Sequence, residues 1–73
     1  MSEATFTFDT THMALWAEEV ATAAGIPNEV VPNPPGSGAL CDLALAVSTD
    51  RADELAAALA EAGVIFRPPP GHG

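Results

Sequence analysis

The sequence predicts an α+β fold built from two similar halves, each with a strand, a helix and a strand. Short segments alternate polar and apolar residues, as half-buried strands do, and two longer segments repeat apolar residues at helical spacing. The two longer segments also end alike, in TAAGIP and in AEAGVI. A βαββαβ order with right-handed crossovers gives the ferredoxin-like sandwich. We therefore expect an antiparallel sheet in the strand order 4-1-3-2, with two helices on one face.

The first half starts with an alternating strand and continues into an amphipathic helix. Phe6 and Phe8 share one face of the strand. Asp9, Thr10 and Thr11 supply side-chain oxygens that suit the N-terminal cap of a helix, which we expect at about residues 11–24. Gly25 is typical of the residue that ends a helix.

A second strand is expected at residues 28–31, followed by a long loop at 32–40. Prolines on both sides of this strand favour an edge position, where a missing N–H does no harm. The loop contains three prolines and two glycines, which favour turns over regular structure.

The second half repeats the plan with a more apolar strand. Leucines and a valine alternate with alanines at residues 43–47, which predicts a central third strand. Cap residues at 48–50 then begin the second helix, and Gly63 ends it. A fourth strand is expected at residues 64–67.

Length and charge restrict the classes of function. With 73 residues the chain forms one small domain, which we place at residues 4–67, followed by a flexible Pro/Gly tail at 68–73. A core this small has no room for an internal cofactor or a deep substrate cavity, so we expect no cofactor and a carrier or accessory protein rather than an enzyme. The formal net charge of −8 disfavours nucleic acids and anionic membranes.

The sequence also indicates a compartment. It has no apolar run long enough to span a bilayer and no basic-then-apolar signal at its start. Its single cysteine cannot form an internal disulfide. We therefore expect the reducing cytoplasm.

Cys41 is the candidate reactive residue. In the predicted topology the start of the third strand lies beside the end of the first strand, so Cys41 is expected near the start of the first helix. The neighbouring residues would be Thr10, Thr11 and His12. Unpaired N–H groups and the helix dipole stabilise a thiolate there. The adjacent Asp42 and the net negative charge raise the pKa of the Cys41 thiol. Salt screens the net charge over about 8 Å, so we expect the helix terminus to have the larger effect on this pKa.

Other interpretations of these residues stay open. A free cysteine often serves as a small buried hydrophobe, and His12 is typical of an exposed first turn. A metal ion would use Cys41 and His12, with Asp9 or Asp42 as a further ligand. The sequence has no CxxC or HxxxH spacing, so we expect no metal site. A Cys–His nucleophile pair lacks a cavity and a third orienting group.

A longer run of the sequence resembles a known family. The run THMALWAEEVATAAGIPNEVVPNPP, followed by CDLAL, is similar to the small selenium/sulfur carrier-like proteins. The shared pattern is a His-x-Ala-(Leu/Met) helix start, an Ala-Gly-Ile/Leu-Pro helix exit, a Pro-x-Pro pair and a cysteine that opens the third strand. The matching positions are His12, Ala14, Leu15, Ala24–Pro27, Pro32, Pro34 and Cys41.

The resemblance covers about residues 6–67, with two departures. Asp42 stands where the family has a glycine after the cysteine. Pro35 and Gly36 stand where a basic residue often follows the Pro-x-Pro pair. Both departures remove support for an anionic sulfur, so they affect the transfer chemistry more than the fold.

Two functions fit this sequence. The resemblance implies that Cys41 carries sulfur or selenium as a persulfide-type adduct, between a donor protein and an acceptor protein. The alternative is a non-catalytic accessory or regulatory subunit that docks on a larger enzyme through its open sheet face or its proline-rich loop. A second copy covering that sheet face would give a homo-oligomer.

Overall fold

The computed structural model describes residues 2–33 and 43–69. The elements follow one another as strand, helix, strand, strand, short 3₁₀ turn and helix. In chain order they are β1 (Glu3–Thr7), α1 (Thr11–Ala23), β2 (Asn28–Pro32), β3 (Leu43–Ser48), the turn Thr49–Arg51 and α2 (Ala52–Ala62).

Within the described residues, three strands form an antiparallel sheet in the order β1-β3-β2. Thr7 of β1 lies opposite Ala44 of β3, and Pro32 of β2 lies opposite Leu43. The α+β class, the antiparallel sheet and the central position of β3 are confirmed.

The predicted fourth strand at residues 64–67 is not confirmed as a strand. Among residues 64–69 the structure has one antiparallel bridge, between Thr7 and Arg67. The Thr7 N–H donates to the Arg67 oxygen at 3.3 Å, and the Arg67 N–H donates to the Thr7 oxygen at 2.8 Å. The expected order 4-1-3-2 is therefore reduced to 1-3-2 in the described part of the chain.

Prolines explain why this pairing does not extend. Continuing the register toward the start of β1 would place Pro68 opposite Phe6 and Pro69 opposite Thr5. Proline has no N–H to donate to a ladder. In the other direction β1 ends at Thr7 and the chain turns toward α1. The bridge therefore has no neighbour on either side.

The core lies between the sheet and the helices. Alternate residues of β1 and β3 point to the same face, where they join the buried side chains of α1 and α2 in one cluster. The largest fully buried side chains are Phe6, Phe8, Ile26, Leu45, Leu55 and Leu59. The opposite sheet face carries small side chains, namely those of Thr5, Thr7, Ala44 and Ala46.

Helices α1 and α2 both end at a glycine with a positive φ, +75° at Gly25 and +90° at Gly63. Glycine adopts this conformation without the steric cost of a Cβ atom. The next residue is buried in each case, with Ile26 at 1% and Val64 at 4% exposure. In the described ranges, no helix is long and apolar enough to cross a membrane.

The predicted tail at 68–73 is described only in part. Pro68 is exposed and Pro69 is buried. Residues 70–73 lie outside the described part of the chain.

Candidate functional site

The structure describes part of the predicted site. Pro34, Cys41 and Asp42 lie outside the described residues. Thr10, Thr11, His12 and Pro32 lie within them, and all four are exposed. The structure therefore describes the strand ends and the helix terminus around the segment 34–42.

The two ends of this segment are held side by side. Pro32, near the end of β2, is the register partner of Leu43 at the start of β3. The Asn33 side-chain Nδ2 donates a hydrogen bond to the Leu43 carbonyl oxygen at 3.3 Å. The chain therefore leaves the sheet and returns to it at the same end, so the two ends of the loop are held close together.

The start of β3 also lies at the end of β1. The last paired residue of β1, Thr7, faces Ala44, one position after the first residue of β3. Two residues separate Thr7 from Thr10, the N-cap of α1. The start of β3 and the approach to α1 thus meet at one end of the sheet. The contact between Cys41 and α1 stays a prediction, because Cys41 lies outside the described residues.

The N-terminus of α1 is capped by a hydroxyl group. Thr10 has an extended backbone, and its Oγ1 accepts a hydrogen bond from the Met13 N–H at 3.1 Å. The first helical bond follows, from the Ala14 N–H to the Thr10 oxygen at 3.2 Å. The first turn contains no acidic residue, so none of its own side chains neutralises the positive end of the helix dipole.

An ion pair next to this terminus was not predicted from the sequence. Arg67 donates to Asp9 Oδ1 from Nε at 3.2 Å and from Nη2 at 2.8 Å. Both side chains are about half exposed, at 53% and 43%. The predicted strand order placed the fourth strand beside the first, so the sequence could have indicated that Arg67 and Asp9 lie close together. The pair neutralises the carboxylate that immediately precedes the cap.

His12 faces along the outer surface of α1. Its ring centroid lies 6.4 Å from that of Trp16, one turn later, with the planes tilted by 45°. These two residues line a shallow groove with Leu15 and Glu19. This groove was not predicted from the sequence.

A metal site is not formed by the described side chains. In residues 2–33 and 43–69, no three His, Cys, Asp or Glu residues are arranged to hold an ion. The ligand set considered from the sequence included Cys41 and Asp42, which are outside these ranges.

Comparison with known proteins identifies a family. A family model described as "Putative Se/S carrier protein-like" matches residues 3–67. The matched range includes β1 to α2, the Thr7–Arg67 bridge and Cys41. No curated protein and no solved structure matches the chain.

Proposed function

This chain belongs to the putative Se/S carrier protein-like family, and we propose that its Cys41 is the attachment point for a transferred sulfur or selenium atom. The family match over residues 3–67 carries this proposal, because it spans the only cysteine of the chain. A thiol is the side chain that forms persulfides by exchange.

Chain connectivity supports a position near α1. Cys41 precedes Leu43 by two residues, a span of at most about 7 Å between Cα atoms. Leu43 begins β3 at the end of the sheet where β1 leads toward Thr10. We infer that the Cys41 sulfur faces the N-terminus of α1, where a helix favours an anion.

The charges of the described residues suit an anionic sulfur at this end. The first turn of α1 has no carboxylate, and the carboxylate of Asp9 is paired with Arg67. The Asp9–Arg67 pair thus brings no net negative charge to this end of the sheet, although the basic residue expected after the Pro-x-Pro pair is absent. Asp42 opposes the anion from the neighbouring position in the chain.

The transfer is a thiol exchange without net oxidation. The Cys41 thiolate attacks the terminal sulfur of a donor protein's persulfide. A new S–S bond forms on Cys41, the donor S–S bond breaks, and the donor leaves as a thiolate. The proton of the Cys41 thiol goes to solvent, and the donor thiolate takes up a proton. An acceptor thiolate then repeats the exchange, and a terminal selenium atom moves by the same steps.

Mass spectrometry after incubation with a cysteine desulfurase and free cysteine tests this proposal. We expect the intact chain to gain the mass of one sulfur atom, located at Cys41 by peptide mapping. Cys41→Ser gives the background, since it leaves the chain without a thiol. If the donor carries a persulfide while Cys41 stays unmodified, the carrier function is refuted.

A second function is favoured by the sheet face opposite the helices. Thr5 and Thr7 of β1 lie on this face, and both are partly exposed. A larger enzyme could pack against this flat face of small side chains, and the chain would then be its accessory subunit. If Cys41→Ser keeps the cellular role and Thr5→Lys abolishes it in a chain that is still folded by circular dichroism, this second function replaces the carrier function.

A further inference from the structure

We propose that α1 carries a docking groove for a basic segment of a partner protein that presents one large apolar side chain. This inference rests on the proposed function, because it identifies the surface that would hold a donor or an acceptor beside Cys41. We call the surface formed by His12, Leu15, Trp16 and Glu19 the α1 groove.

The α1 groove has the size of a side-chain site. Its four residues are spaced three and four apart, which places them on one stripe of the helix. They enclose about 310 Å³ of open space. This volume is at the lower limit of small-molecule pockets, and the groove is open to solvent, so it fits one inserted side chain.

The α1 groove joins an exposed leucine to a partly buried tryptophan. Leu15 is 46% exposed, and with Ile65 it is one of two large hydrophobic side chains exposed in the described residues. Trp16 packs against the core, whereas Leu15 does not belong to the core cluster. A leucine beside a tryptophan on an outer face with a polar border is typical of an interaction site.

The charge distribution selects the partner. The chain has a formal net charge of −8, and its two arginines are engaged in ion pairs, Arg51 with Glu54 and Arg67 with Asp9. Glu19 borders the groove, and no arginine lines it. A second copy of the chain brings the same negative charge and is repelled, whereas lysines or arginines on a partner are attracted. The occupant is therefore a basic segment.

The position of the groove links docking to transfer. His12 lines the groove and also belongs to the first turn of α1, two residues after the cap Thr10. A segment seated on Leu15 therefore lies within about 8 Å, measured along the helix axis, of the terminus that the sulfur is proposed to face. Docking there brings the partner's reactive group to Cys41 without an internal cavity.

Trp16 gives a direct readout of occupancy, because it is the only tryptophan of the chain. The probe is a capped lysine-rich peptide with one central phenylalanine. Two comparison peptides replace the phenylalanine by alanine, or the lysines by glutamates. We expect saturable change in Trp16 fluorescence with the phenylalanine peptide, binding about tenfold weaker with the alanine peptide, and none with the glutamate peptide.

Matched variants separate the groove from general charge attraction. Leu15→Ser should weaken binding by about tenfold, and Glu19→Lys by about fivefold. Ile65→Ser removes an aliphatic side chain that is 64% exposed, and Glu61→Lys makes the same charge reversal on α2, both outside the groove. The Ile65 variant should bind within about twofold of the parent, and the Glu61 variant should bind more tightly than the Glu19 variant. Circular dichroism checks that each variant is folded.

Three results would overturn the docking proposal. One is equal binding of the alanine and phenylalanine peptides, and another is equal weakening by the groove variants and their controls. The third is self-association in sedimentation equilibrium that Leu15→Ser removes, because the occupant is then a second copy. Cys41→Ser should bind the peptide unchanged. If the parent chain binds the peptide but gains no sulfur at Cys41, only the carrier function is refuted. If it gains sulfur but does not bind the peptide, only the docking proposal is refuted.

Discussion

The two halves of the chain end their helices in the same way and continue from them differently. In the first half the Ile26 N–H donates to the Ala21 oxygen at 2.9 Å, and in the second half the Val64 N–H donates to the Leu59 oxygen at 3.0 Å. In each half the glycine before the donor is left-handed. This hydrogen-bond pattern is the Schellman motif. Similar local sequence has therefore produced the same local structure twice.

The halves diverge one residue later. After Ile26 the chain forms β2, which pairs with β3 over Asn28–Pro32. After Val64 the described chain pairs only at Arg67, because prolines follow it. A helix cap depends on a few adjacent residues, whereas a strand also needs donors in register with a partner.

The helix starts differ in charge as well. α1 has a side-chain cap and no acidic residue in its first turn, whereas α2 has no side-chain cap hydrogen bond and carries Asp53 and Glu54 in its first turn. The acids of α2 neutralise the positive end of their own helix. Of the two described helices, α1 alone has no acid in its first turn, which agrees with the proposal that an anion from elsewhere in the chain lies there.

The largest effect is expected from truncating the buried residue after each glycine. Ile26→Ala should destabilise the domain by about 3 kcal/mol, and Val64→Ala by about 2 kcal/mol, because it removes fewer buried carbons. Urea denaturation followed by circular dichroism measures both free energies of unfolding. If Val64→Ala left the free energy of unfolding unchanged, the two caps would not be equivalent, and the residue after Gly63 would contribute nothing to the core.

The smallest effect is expected at the start of α2. The side-chain hydrogen bond from Arg51 lowers the pKa of Glu54 from its ordinary value. A carboxyl group with a lower pKa in the folded state stabilises the protein above its unfolded pKa, and this contribution is lost as the pH falls through the folded pKa. Because the pair is exposed, Glu54→Gln should lower the melting temperature only slightly at neutral pH.

The same comparison in acid gives the control. Once Glu54 is protonated, the parent and the Glu54→Gln variant should melt at the same temperature, so the difference between them should vanish. A difference that stays constant through the acid range would contradict the assignment of the effect to this ion pair. Thermal melts of both chains across the pH range provide the measurement.

Local features of the fold could be predicted from the sequence. The alternation at residues 43–47 indicated a central strand, and one of the side chains at residues 9–11 was expected to cap α1, as Thr10 does. Gly25 and Gly63 were expected to end the helices, and both have a positive φ. These features depend on residues that are neighbours in the chain, so composition and spacing contain the needed information.

Two features that depend on particular pairs of distant residues were missed. Residues 64–66 do not pair as a strand because β1 ends at Thr7, opposite Arg67, and this register is not visible in the sequence. The ion pair between Arg67 and Asp9 joins residues 58 positions apart. The predicted contact of Cys41 with α1 is of the same kind, and it stays a prediction.

The pH dependence of Cys41 alkylation tests the central claim most directly. With iodoacetamide, we expect the rate for the folded chain to reach half of its maximum below the ordinary thiol value of about 8.5. The same chain in concentrated urea is the matched reference, because Asp42 and the composition are unchanged while α1 is lost. We expect the midpoint to move upward in urea. A folded chain whose midpoint equals or exceeds the urea value would contradict a thiolate stabilised by the N-terminus of α1.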